Sequence, residues 1–589
     1  MSLWGEIRRR NVHRAAVAYV ALSWLIIQVI DTVLPDFGIT GAVRVTTIVL
    51  GIGFIPAMIL AWVFEFTPEG IKRESETDHS APGARVQSRR VDRAIIAVLS
   101  LAVVVFAVDK FVLEPAPVSD MSIAVLAFED ISEAGDLAYF GEGIAEELLN
   151  LLAKIPELRV AGRTSAFSFR DNPATIPEIG AALGVTYIVE GSVRAAADRI
   201  RITVQLVEAA SDTHLFSENY DRDFGDIFDI QDEVAEKVVD ELQISLLGNV
   251  PLSKRVDSQA YALYLEARTI VNDPNSTQED HARARSMLLR ALEIDPNYGD
   301  ALSLYAGNLY MFGEEGGSGE ETVTRIRRMI IRALAIDPNN ANALSWMAWL
   351  SLDQDNDIET AAHYRKRAHE ADPTNYHVLD SSVQTLPFFG RTDLAARIGE
   401  YLIERDPLCL GCYHRLATLY AQLGDYSSAK ARLRDAIALA PDFGWSKAQL
   451  GAVHLFAGEH KKALEIFSKL HAESGQCCFP GHLEALHDLG RQEEFEALLP
   501  QHIELHEEMG ATLIIAQLYA WIGDKDEAFR WLDTHDRVRR WGIRSHLVRP
   551  WYRKLHDDPR WQALLEQYQM TDEILESLDL DIRLPPGVE

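Results

Sequence analysis

Cysteine is scarce in this chain: four residues in 589, at Cys409, Cys412, Cys477 and Cys478. That excludes a small scaffold held together by disulfides. Basic residues are also under-supplied, with 57 Lys and Arg against 88 Asp and Glu and a formal net charge of −31. Such a balance repels a polyanion instead of drawing it in by counterion release, so no nucleic-acid partner is expected. Disorder is excluded by the opposite abundance, since 48% of the residues are apolar,. The length is too great for one hydrophobic core, and two or more domains are expected.

Long apolar runs occur only in the first 113 residues, as Ala15–Leu34, Val45–Phe64 and Ala94–Leu113. Each is about 20 residues, the length a helix needs to cross the hydrocarbon core of a bilayer. A cleavable signal peptide competes for the first run, but no small-residue cleavage site follows it and two further runs do. Asp31, Asp109 and Lys110 lie near run ends, where snorkelling makes them tolerable,. Basic residues set the orientation. Arg8, Arg9, Arg10 and Arg14 precede the first run, and Lys72, Arg73, Arg85, Arg89, Arg90 and Arg93 lie in the second loop, against Arg44 alone in the first,. The N-terminus and the flexible loop 65–93 are therefore expected in the cytoplasm. Everything past Leu113 is expected in the periplasm, anchored in a bacterial inner membrane with the lipid bilayer as a partner.

After a linker at 114–120, residues 121–250 alternate strand and helix patterns. "MSIAVLAF" reads as a strand, "YFGEGIAEELLNLLAKI" as a helix with Leu148, Leu151 and Leu152 on one side, and "LRVAGRTSAFSF" as a second strand and turn,. "IPEIGAALG" is a short helix ending at Gly184. Two strands then flank an Ala-Asp turn, followed by "THLFSENYDRD" and a closing helix,. The order predicts a mixed sheet with helices on one face. "FGEGIAEEL" places glycines ahead of a helix, but the Gly-Lys-Ser/Thr of a phosphate loop is missing. Glu142, Glu146 and Glu147 would repel phosphate, so helix capping and tight packing is the preferred reading. No Ser-His-Asp or Cys-His arrangement is found here, and His214 stands alone. These stretches, from "SIAVLAFEDIS" to "FDIQDEVA", resemble the domain shared by the TolB amino-terminal region and the FlgO family. That resemblance covers roughly 130 residues. It implies a domain placed between membrane helices and tetratricopeptide repeats, as in the non-catalytic part of adenylate/guanylate cyclase-like proteins. Some relatives carry a cyclase or winged-helix output domain on the cytoplasmic side. With about fourteen residues ahead of the first apolar run, neither is expected here.

Prolines recur at Pro296, Pro338, Pro373, Pro407 and Pro441, at spacings of 42, 35, 34 and 34. A period of 34 is that of the tetratricopeptide repeat, a helix-turn-helix unit that buries its face only by stacking on neighbours. In the best unit Tyr413, Leu416, Ala417, Tyr420, Ala429, Leu433, Ala436 and Pro441 fall at the repeat's large, small and proline positions. The next keeps Leu450, Gly451, Ala463 and Phe467. Seven or eight units are expected over 257–570, then a tail at 571–589. Cys409 and Cys412 flank the start of one repeat's first helix, and Cys477 lies 68 residues, two periods, beyond Cys409. Regular stacking separates the two pairs by on the order of 20 Å, which forbids a shared zinc ion or a crosslink between them. A local Cys409–Cys412 disulfide, free buried thiols and a distorted solenoid remain open; in an oxidising periplasm the first is preferred.

The expected fold class is thus an α+β membrane protein with three transmembrane helices over 1–113, a small mixed-sheet α/β domain and a C-terminal all-α solenoid. The expected function is a membrane-anchored periplasmic scaffold whose repeats bind a protein or peptide. The alternative is a sensory subunit whose output domain is a separate chain. No cofactor, metal or catalytic residue is expected. Trp346, Trp349, Tyr364, Tyr413 and Tyr420 are candidate contact residues, with core packing as the competing reading.

Overall fold

The computed structural model describes residues 64–67, 70–73 and 121–588, together with the helical residues Tyr19 and Ser23. Within 121–588 the description leaves out 133–134, 136, 171–173, 197–198, 224–225, 243–254, 274–275, 314–318, 475–478 and 539–541. The chain divides into two units, residues 1–119 and 120–589. In the first, strands β1 (Phe64–Thr67) and β2 (Gly70–Arg73) form an antiparallel hairpin in which Phe64 pairs with Arg73. The expected membrane fold class is corrected here. Among the described residues no helix is long and apolar enough to cross a membrane. Phe64, expected as the last residue of a second span, belongs to a strand, where alternating Phe and polar residues suit a pleated surface,. Apart from Tyr19, Ser23 and Phe64, the three apolar runs lie outside the described residues.

The second unit begins with a sheet in the order β5-β3-β6-β7-β8. Its strands are β3 (Ser122–Val125), β5 (Arg159–Val160), β6 (Tyr187–Ala196), β7 (Arg199–Glu208) and β8 (Thr213–Asp223); β4 (Glu129–Asp130) pairs with β6. β3 runs parallel to β5 and β6, while β6, β7 and β8 form an antiparallel meander. All four residues of β3 are buried, the mark of a strand covered on both sides,. Helices indeed lie on both faces, not on one as expected. α1 (Ala138–Leu152) and α4 (Ile227–Glu241) share a core with Ile123, Val125, Val189 and Ile202. α2 (Arg163–Phe167) and α3 (Ile176–Leu183) cover Ala124, Ile188 and Ala209 on the other side. α3 starts at a Thr175–Glu178 capping box and stops at Gly184, whose φ of 62° is left-handed,.

Eight helix pairs follow among the described residues. The first four are α5 (Ser258–Asn272) with α6 (Gln278–Ile294), α7 (Gly299–Phe312) with α8 (Gly319–Ile336), α9 (Ala341–Asp353) with α10 (Ile358–Ala371), and α11 (Tyr376–Thr385) with α12 (Thr392–Arg405). The next are α13 (Leu410–Leu423) with α14 (Tyr426–Leu439), α15 (Gly444–Phe456) with α16 (His460–Ser474), α17 (His482–Asp488) with α18 (Gln492–Glu508), and α19 (Thr512–Ile522) with α20 (Lys525–Val538). Close approach of paired helices needs small residues. A Cβ on Gly451 would lie 2.8 Å from the Phe467 ring, so only glycine fits there.

Two further contacts fix the unit. α1 packs on α5, where Arg268 bonds Glu147 at 2.5 Å and lies 3.4 Å from Glu146. At the other end α21 (Ile543–Leu547), α22 (Pro559–Gln567) and α23 (Asp572–Ser577) bring the chain back onto α9 and α10. Arg544 donates to the Leu352 carbonyl at 2.5 Å, Asn356 to the Gln567 carbonyl at 2.9 Å, and Lys366 pairs with Asp579 at 2.7 Å. Leu580 and Ile582 are buried in this return.

Candidate functional site

The repeat pattern places small residues where helices face a partner surface. Ala417 and Ala421 on α13, and Ala448 and Ala452 on α15, recur one turn apart and form the floor of a groove of about 380 Å³,. Its walls are aromatic. The Phe456 and Trp551 ring centroids lie 4.4 Å apart at 71°, an edge-to-face contact, and Trp445 remains 44% exposed at the rim,. Polar groups line it as well, contributed by α15, by α21 and by the residues after α21. Gln449 Oε1, His546 Nδ1 and Arg549 Nε have no hydrogen-bond partner and no contact with solvent. Burial, then the charge of Arg549, holds the His546 imidazole well below its ordinary range, so it is neutral. Arg549 is pushed down by burial too, and no carboxylate among the described residues pairs with it. Arg549 lines the groove and, as a whole residue, is partly exposed. A ligand carrying an apolar side chain and a carboxylate matches these walls and this arginine,.

Sequence reading missed Arg549, His546 and Trp551, because they fall after the last repeat and meet α13 and α15 only through the return of the chain. The aromatics singled out from sequence serve packing. Trp346 lies against Gly307, Trp349 donates to the Ser381 hydroxyl at 2.7 Å, and Tyr420 donates to Glu400 at 2.6 Å. Tyr364 and Tyr413 are part-buried against the helical cores, and none of the five lines the groove. In the α/β domain Glu142, Glu146 and Glu147 are engaged by Arg163, Arg170 and Arg268.

Cys409 caps the N-terminus of α13, and its sulfur accepts the Cys412 amide at 3.2 Å. Both cysteines are buried, and the structure joins them as a disulfide. Cys477 and Cys478 lie outside the described residues. The turn that carries the pair also touches the α/β domain. Gly162 donates its amide to the Arg405 carbonyl at 2.6 Å, Ser165 its amide to Asp406 Oδ1 at 2.6 Å, and Leu408 its amide to the Ser165 hydroxyl at 2.8 Å.

Comparison with known proteins gives three findings. Residues 410–443, which span α13 and α14, match the tetratricopeptide repeat family. A protein of Rhizobium meliloti (strain 1021), provisionally named adenylate cyclase 3, is 38% identical over 179 residues. The match covers 30% of this chain and spans 30% of that relative's length. Among solved structures, YrrB, a tetratricopeptide protein with an unusual peptide-binding site, aligns at 16% identity and a TM-score of 0.27, over 34% of this chain and 97% of its own. PilW, a type IV pilus biogenesis factor, aligns at 16% identity and a TM-score of 0.30, over 37% of this chain and 94% of its own. The repeat itself rests on the family match and on the helix pairs: this chain contains tetratricopeptide repeats, with a small sheet domain packed ahead of them.

Proposed function

We propose that the chain is a non-catalytic interaction scaffold whose C-terminal groove binds a peptide segment of a partner protein. The segment offers an apolar side chain to the walls made by Trp445, Phe456 and Trp551, and a carboxylate to Arg549. One observation carries this reading: a desolvated arginine that no carboxylate among the described residues pairs with lines an apolar groove. A buried charge left without its partner is costly, which is why an incoming carboxylate gains there. The α/β domain, in this reading, docks a second component. A periplasmic setting is part of the proposal, supported by a disulfide that suits an oxidising compartment,. The identity with a cyclase-named protein favours a second reading, in which the same scaffold belongs to a signalling system with its output on another chain.

The test is to pan a random-peptide library, with free C-termini, on the full chain. Selected peptides are expected to share an apolar position and a carboxylate, and to bind Arg549→Gln at least tenfold more weakly. Amidated copies separate a terminal carboxylate from an acidic side chain. Filling the floor with Ala452→Trp should abolish binding. Equal binding to wild type and both variants would remove the groove from the proposal.

A further inference from the structure

Asp406, Cys409 and Cys412 run from the end of α12 into the first turn of α13, and are 1%, 5% and 4% exposed. One donor atom from each, a carboxylate oxygen and two sulfurs, lies within 4.8 Å of the other two. The carboxylate is divided in its duties. Oδ1 accepts the Ser165 amide at 2.6 Å, whereas Oδ2 is buried without a well-formed hydrogen bond, the Thr164 side chain lying near the group. A sulfur at a helix N-cap that accepts a backbone amide is placed where the thiolate form is favoured,. The Tyr376 hydroxyl stands 3.8 Å from the Cys409 sulfur and 3.7 Å from that of Cys412. A structural disulfide alone gives the Oδ2 atom no role.

We propose that this turn is a redox-gated metal site: once the disulfide is reduced, the two thiolates and the Asp406 carboxylate hold one thiophilic divalent cation of the zinc type. Thiolates with a carboxylate suit a borderline-soft ion that takes four ligands, and the fourth position falls to Tyr376 or to water. Reduction needs a dithiol donor. Its two thiols give two electrons and two protons to the S–S bond, which breaks, and the donor leaves as its own disulfide. The cation then displaces the two cysteine protons as two metal–sulfur bonds form. Disulfide and metal are thus alternative clasps on one turn. That turn also holds the α/β domain through Gly162 and Ser165, so either clasp preserves the junction.

The full chain is reduced with a phosphine and titrated with Co²⁺ beside Cys409→Ser and Asp406→Asn chains, so that Cys477 and Cys478 contribute equally to all three. The reduced wild type is expected to show a sulfur-to-cobalt charge-transfer band at one ion per chain in excess of Cys409→Ser, displaced by Zn²⁺. The unreduced chain should lack it. Asp406→Asn retains an oxygen for the Ser165 amide, and its affinity should fall at least tenfold with the helical circular-dichroism signal unchanged. The proposal is overturned by any of three results: no excess band over Cys409→Ser, loss of helical signal on reduction even with the metal present, or equal affinity in Asp406→Asn.

Discussion

Glu484 is wholly buried at the third position of α17, where its Oε2 accepts the Gly481 amide at 2.9 Å. Burial pushes its carboxyl up from 4.5 to about 7. The sign follows from proton counts. Between those two values the unfolded chain has released a proton that the native state retains, so stability falls as pH rises through the window and levels off above it. Glu484→Gln keeps the capping oxygen and removes the titration. It is expected to be more stable than wild type at pH 8, by on the order of 3 kcal/mol at most, and to lose this part of the pH dependence. Urea midpoints at pH 5 and pH 8 check it; parallel shifts in both chains would refute it. Sequence alone announces the Gly-x-x-Glu spacing at 481–484, but nothing in it says that the carboxylate is sealed from water.

α2 illustrates how much of an element is decided elsewhere. "LRVAGRTSAFSF" has the composition of a strand, yet the strand stops at Val160 and a helix begins at Arg163. The Ser165 amide in the first turn of that helix would be unsatisfied on its own. Asp406, 241 residues away, accepts it. A cap supplied from another domain leaves no local signature. Gly162, which permits the approach, is therefore the sensitive position: a Cβ there would lie 2.6 Å from both Asp406 Cβ and Cγ. Gly162→Ala is expected to cost about 1–3 kcal/mol and to speed hydrogen exchange at the α2 amides before the rest of the unit opens. Unchanged exchange in α2 would argue that the junction tolerates the methyl group. By contrast α3 and the β6–β7 hairpin were legible from sequence, because their capping box, left-handed Gly184 and turn residues lie within a few positions of the elements they end.

Across the whole molecule, buried histidines set the acid response. His369, His482 and His502 are each under 6% exposed, and burial is the main cause that lowers them to about 3, 4 and 3. The unfolded chain takes up protons below about 6.5 that the native state refuses, so stability falls as pH drops through that value, opposite in sign to Glu484. Each contributes at most about 2 kcal/mol of loss by pH 5. The urea midpoint is expected to fall between pH 7.5 and pH 5, and to fall less in His502→Gln; a flat profile would contradict this. The architecture divides along the same line between local and distant causes. Sequence by itself determined the repeat, since a period of 34 with small residues at fixed positions admits only stacked helix pairs, and it determined the alternating order of the sheet domain. Tertiary structure alone decided that both faces of the sheet are covered, that Asp406 caps a helix of the α/β domain, and that Arg549 lines one groove together with Ala421 and Phe456. Short-range patterns fix elements because capping and periodicity act within a few residues. The groove and the junction join groups more than a hundred positions apart, and only the path of the folded chain brings those together.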